Sequence, residues 1–200
     1  MSYKVPLSTW SDSMQIRINK SLSIPAYEIA NLPTLCSINT WPDQLYLEIE
    51  ENAVLNAPNL SDVSADVLLR TNAKLTVPKL VEVEGGVQVW EQATFDAPEL
   101  ISIRDELSVC HEGKFNAPKL IKVGGELVIL NCRSVTLPNL ERIGGWLSLR
   151  EGVTLNAPKL TWIGAGLATI FLHYGATLNA PKLNYEDNRI KFVEKGGESL

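Results

Sequence analysis

Apolar and polar positions recur along this chain with a period of 20 residues. Prolines set the register: Pro58, Pro78, Pro98, Pro118, Pro138 and Pro158 are spaced by 20, and Pro181 follows after 23. Each proline is position zero of one copy. Position +2 is Leu60, Leu80, Leu100, Leu120, Leu140, Leu160 and Leu183, without exception. Position +5 reads Val63, Val83, Ile103, Val123, Ile143 and Ile163, and position +9 reads Val67, Val87, Leu107, Leu127, Leu147 and Leu167. Positions +11 (Leu69, Val89, Val109, Ile129, Leu149), +17 (Leu75, Phe95, Phe115, Val135, Leu155) and +19 (Val77, Ala97, Ala117, Leu137, Ala157) are apolar too. Columns that stay apolar while their neighbours vary are expected to face inward. A fixed period in this range marks stacked repeats, each burying its apolar face only against the next.

The spacing of two between +9 and +11, and again between +17 and +19, is strand periodicity. No segment between them is long enough for several helical turns. Gly85-Gly86, Gly124-Gly125, Gly144-Gly145 and Gly164 with Gly166 mark one corner, where glycine is expected to supply a positive φ. Proline marks the other, with its fixed φ and missing donor. Two short strands and two corners in each 20-residue coil predict an all-β fold, a right-handed parallel β-solenoid with capped ends. Successive coils should rise by ~4.8 Å, giving a rod ~35 Å long.

Position +18 is small and polar: Thr76, Asp96, Asn116, Thr136 and Asn156, with Asn56 and Asn179 one coil outside. Stacked side chains of this kind are expected to hydrogen-bond from coil to coil. A repetitive binding face, as in ice-binding solenoids, is the other reading. The neighbouring column at +16 (Lys74, Thr94, Lys114, Ser134, Thr154) is too charged and irregular for it. Pro33, Leu35 and Ile38, then Leu45 and Leu47, form a looser first coil. The expected organisation is an N-terminal cap over residues 1–32, a repeat solenoid over 33–183, and a C-terminal cap or tail over 184–200. The alternation Met14-Gln15-Ile16-Arg17-Ile18 predicts a strand in the first cap. Capping would keep the end of the sheet from templating aggregation. A three-residue insertion near Ala168-Thr169-Ile170-Phe171 breaks the symmetry after Pro158.

Charge narrows the partner class. Asp plus Glu outnumber Lys plus Arg by 23 to 18, for a net charge of -5, which disfavours general binding to a phosphate backbone. The first 30 residues hold no apolar run of signal-peptide length, and no stretch is long enough to span a bilayer. The expected location is the cytoplasm. Cys36, Cys110 and Cys132 are odd in number and lack metal-ligand spacing, so free thiols are expected. Cys110 and Cys132 differ by 22 and should not stack in register.

The phrase Leu140-Glu141-Arg142-Ile143-Gly144-Gly145-Trp146-Leu147-Ser148-Leu149 resembles two families. One is the receptor L-domain, with its L-x-x-I-x-G-x-L-x-I pattern in a single-stranded β-helix. The other is the short bacterial leucine-rich repeats, including their 20-residue class. The resemblance covers about residues 33–183 and implies a leucine-rich-like solenoid that recognises proteins. Leucine-rich repeats place an Asn three residues after the strand valine. Here that column, +14, reads Asn72, Gln92, Glu112, Cys132 and Gly152, so one copy fits and no functional residue carries over.

Function is expected where the copies differ. The outward columns +8, +10 and +12 of the first strand hold Arg70, Trp90, Val128, Leu130, Trp146 and Arg150. Phe171 and Tyr174 lie at the insertion. Exposed Trp and Arg beside apolar neighbours are enriched at protein interfaces. These eight residues are the candidate partner face, although the aromatics could instead lie against a cap, a loop or a dimer mate. Glu106 and Glu126 occupy one column a coil apart and could act as paired carboxylates or bind calcium, but Arg104 and Lys122 beside them point to a compensated surface. No nucleophile has a credible base and orienter, no glycine loop has a phosphate-cradling frame, and no ligand set fits a metal.

The expectation is therefore a non-enzymatic, cofactor-free solenoid that binds a protein, with a homodimer through its flat side left open. A sharper form is an inhibitor or adaptor of a larger macromolecular machine, for example an anti-defence protein of a mobile element. That form requires acidic residues to cluster on one face. The alternatives are a carbohydrate-binding or carbohydrate-processing solenoid and a structural, self-assembling repeat protein.

Overall fold

The protein is described here by a computed structural model that covers residues 16–18, 21–39, 46–164, 169–184 and 189–193. Every regular element among them is a β-strand, and every strand pairing is parallel, as in Val87 with Val67 on one side and Leu107 on the other. The chain winds as a parallel β-solenoid. Six successive coils, at Leu47, Val67, Val87, Leu107, Leu127 and Leu147, are stacked 20 residues apart. The next step, from Leu147 to Ile170, takes 23 residues and keeps the register. The inserted residues are thus absorbed outside the strand; Ala168 lies outside the described residues.

Each coil has three faces where the periodicity predicts two. One is an eight-stranded sheet built from strands such as Glu82–Val83 and Arg142–Ile143. The second is a nine-stranded sheet containing Leu107–Cys110 and Leu127–Leu130. The third is divided into a five-stranded and a three-stranded sheet. The strands of the first face carry a single inward residue, at +5, so no alternation announces them.

The inward columns are buried as their chemistry requires. Every leucine at +2 from Leu60 to Leu160 is fully buried, and Leu183 is 5% exposed. Phe95 is fully buried and stacks on Phe115 of the next coil, with ring centroids 5.2 Å apart and 6° between planes. The prolines occupy a tight turn closed by the amide of +2 on the carbonyl of -1, as in Leu80 to Val77 at 3.1 Å and Leu160 to Ala157 at 3.0 Å. Proline is preorganised for the second position of such a turn.

The glycine corner works by a different mechanism from the expected one. Positive φ belongs mainly to the corner after the nine-stranded sheet: Asn52, Asn72, Gln92 and Glu112 are all left-handed near +60°, and Gly152 and Gly175 continue the column; at the glycine corner Gly164 alone has it, with φ +72°. The Gly-Gly pairs have no positive φ. They allow close approach instead, since a Cβ on Gly144 would lie 1.8 Å from the Gly124 carbonyl oxygen.

One corner is out of phase. At Asn131-Cys132-Arg133 the left-handed residue is Asn131, one position early. Cys132 then drops into the core at 6% exposure, and exposed Arg133 takes the place filled by buried Ala93 or Val153 in other coils. The third face breaks here: Lys114–Asn116 ends the five-stranded sheet and Ser134–Thr136 begins the three-stranded one.

The polar ladder at +18 forms. Asn56 donates to Asn31 Oδ1 at 2.8 Å, Asn116 to Asp96 at 2.6 Å and Asn179 to Asn156 at 3.2 Å. Ile16–Ile18, Leu22–Ile24 and Ile29–Asn31 stack on the next coil as a further turn, and Arg189–Val193 extends the nine-stranded sheet. Strand-like stacking therefore reaches into both segments expected as caps; residues 1–15, 185–188 and 194–200 of those caps lie outside the described residues.

Candidate partner-binding face

The outer side of the nine-stranded sheet carries the candidate residues in continuous register. Val128 lies between Ser108 and Ser148, and Leu130 pairs with Cys110. Phe171 pairs with Ser148. The exposed anchors are Trp146, at 49%, and Tyr174, at 62%. Val128, Leu130 and Phe171 are half-buried beside them. Lys191 sits over the Phe171 ring, 5.8 Å from its centroid.

The basic residues are less free than the sequence implied. Arg70 Nε donates to Glu48 Oε1 at 2.7 Å, a coil-to-coil ion pair on an exposed surface. Arg150 Nη1 lies 3.1 Å from His173 Nε2. Burial and the Arg150 charge both lower the His173 pKa. His173 is therefore neutral at pH 7, and its Nε2 accepts from the guanidinium, which is always a donor. Trp90 is half-buried and donates through Nε1 to Gln88 Oε1 at 3.3 Å, while Gln88 donates to Glu106. Trp90 is thus tied into a local relay, and Trp146 is left as the exposed indole of the pair.

Cys110 was expected in the outward column but is 5% exposed. Trp90 and Leu130 occupy the same column one coil to either side and enclose it. Burial, with Cys132 and Glu106 adding to it, pushes the Cys110 thiol up to about 11. All three cysteines are free. With iodoacetamide at mildly alkaline pH, Cys36, which is partly exposed, is expected to label first. Cys110 is expected to react at least about a hundredfold more slowly than an ordinary thiol, from its thiolate fraction alone. Mass spectrometry of native and denatured protein checks this, and native labelling of Cys110 at the Cys36 rate would contradict it.

Asp66, Gln88, Asp105, Glu106 and Glu126, with Gly86 and Gly125, line a recess of about 350 Å³ at the edge of this face. Asp66 accepts from the Gly86 amide at 2.7 Å, so it holds backbone as well as presenting charge. Among the described residues no three His, Cys, Asp or Glu side chains are grouped to hold a metal ion, and no helix is long and apolar enough to cross a membrane.

The columns at +3 and +4, on the eight-stranded sheet, escape a reading that follows only the longer strands. They leave Val81, Ile101 and Ile121 exposed in consecutive coils, at 43%, 41% and 38%. Their signal in the sequence was three large aliphatic residues at one position beside a charge column that changes sign. No known protein family, curated protein or solved structure matches the chain.

Proposed function

We propose that this chain is a non-catalytic, leucine-rich-like binding solenoid that docks a protein partner on the outer face of its nine-stranded sheet. The observation that carries the reading is Trp146. It is a large, half-exposed indole on a coil held from both sides by parallel pairing. Val128 and Phe171 share a column two residues along from it, and Leu130 lies two residues further. An anchor on a preformed ladder loses little conformational freedom on docking, so one or two side chains can dominate affinity. Tyr174 extends the patch just beyond the C-terminal end of the strand Thr169–His173.

The test is affinity capture from the native host with the wild-type chain and with Trp146→Ala. Loss of an interface tryptophan is expected to weaken binding by about 2 kcal/mol or more, roughly thirtyfold. Because Trp146 is half-exposed, the thermal midpoint should hardly move. Undiminished capture by the folded variant would sink this face.

A second reading draws on the acidic recess. Asp66, Asp105, Glu106 and Glu126 line it together. Such an acidic edge fits an inhibitor or adaptor that enters a basic groove of a larger machine in the cytoplasm. Capture through it would fall steeply with added salt, whereas capture through Trp146 would not.

A further inference from the structure

The eight-stranded sheet turns a charge-palindromic column toward solvent. Along +4 the residues read Asp62, Glu82, Ser102, Lys122, Arg142, and strand pairing places them on adjoining coils in that order. Two acids precede a neutral centre and two bases follow it. The four charged residues are exposed and Ser102 is half-buried. Beside this column runs the apolar stripe Val81, Ile101 and Ile121, whose middle member is next to the same centre.

We propose that this face binds a second copy of the chain, with the two solenoid axes antiparallel. A two-fold axis along the strand direction, through the coil of Ser102, lays each column on itself in reverse. Glu82 then meets Lys122 of the other copy, and Asp62 meets Arg142. Ile101 meets its own equivalent, and Val81 meets Ile121. This contact is isologous: each pair of unlike residues occurs twice, and the Ile101 pair once, on the axis. Coil spacing is the same in both copies, ~4.8 Å, so all pairs fall into register together. The parallel arrangement sets Asp62 on Asp62 and Arg142 on Arg142, and like charges facing each other oppose it.

Two flanking acids, Glu99 and Glu84, are already matched within the chain. Lys119 bonds Glu99 at 2.6 Å, and Arg104 lies 4.0 Å from Glu84. Among the described residues Glu82 and Lys122 have no ion pair. Arg142 rests on the Trp162 ring, 4.7 Å from its centroid, which fixes it at the end of the column. The face is only a few residues wide, so the dimer belongs to the small, concentration-dependent class, below about 1,200 Å² of buried surface.

The test is sedimentation velocity from low micromolar to several hundred micromolar protein, at low and high salt. The wild type is expected to shift from monomer to dimer over that range and to lose association as salt rises. Glu82→Lys and Lys122→Glu, taken singly, each set like charges opposite one another twice and should weaken dimerisation by about tenfold or more. The double reversal restores opposite charges and should recover it to within about threefold. Ile101→Lys should abolish it, and at 41% exposure that change should leave the fold intact, with circular dichroism as the check. A monomer throughout the range overturns the proposal. So does a dimer that the single reversals leave unweakened, or that the double reversal fails to restore.

Discussion

Gly144→Ala is expected to destabilise the solenoid by about 3 kcal/mol or more, although it adds one methyl group to a half-exposed corner. The new Cβ would lie 1.8 Å from the Gly124 carbonyl oxygen and 2.6 Å from its carbon. Both are backbone atoms of the coil below, so no rotamer change relieves the overlap. The same corner is stitched by the Gly144 amide to Val123 and the Gly145 amide to Gly125, each at 2.8 Å. Relief requires lifting one coil off the next and surrendering these bonds. Gly152→Ala is the contrast. Gly152 has a φ of +69° but no atom within 4 Å of an added Cβ, so it should lose only about 1 kcal/mol for the left-handed backbone. Urea denaturation midpoints measure both. Equal losses would show that conformation rather than close approach governs the glycine corner.

Phe95→Ala is expected to cost about 3–5 kcal/mol. Its ring is fully buried and lies nearly parallel to Phe115. Truncation removes the largest fully buried side chain and the stacking partner of the next coil's Phe115. Backbone pairing of Thr94–Asp96 to strands on both sides limits how far the coils can collapse into the cavity. Phe115→Ala should cost about half as much, because Phe115 is partly exposed and packs at the margin of the core. Similar losses in denaturation experiments would mean that the Phe115 ring is as well enclosed as Phe95.

Columns with invariant apolar chemistry were legible in the sequence, and they carried the all-β solenoid and its register. The Leu at +2 and the Val, Ile and Leu at +5, +9 and +11 could be placed inward because each repeats against an identical neighbour. Less legible were the features that depend on how two coils meet. A two-residue strand such as Glu82–Val83 has no period to detect. Gly124 and Asn72 both mark corners, yet one is needed for contact and the other adopts positive φ; composition alone assigns both jobs to glycine. Cys110 shared the outward column with Arg70 and Arg150, but the large side chains of neighbouring coils bury it. For the candidate face, the sequence picked out Trp146 and Trp90 alike. Only the Trp90–Gln88–Glu106 relay separates an exposed anchor from a tethered one.

The interruption of the third face at Cys132 has a mechanical consequence. In a stacked rod, neighbour-to-neighbour pairing is the only long-range link, and stability propagates coil by coil. Here one of three seams is open between the coils of Phe115 and Val135, while the other two remain closed. The rod is thus two stiff blocks joined by a softer joint. Under load, or on partial denaturation, it should part at that joint first, with amides beside Asn116 and Ser134 exchanging earlier than their equivalents in other coils. Because the nine-stranded sheet bridges the joint, any body docked across Trp90 and Val128 would act as a splint.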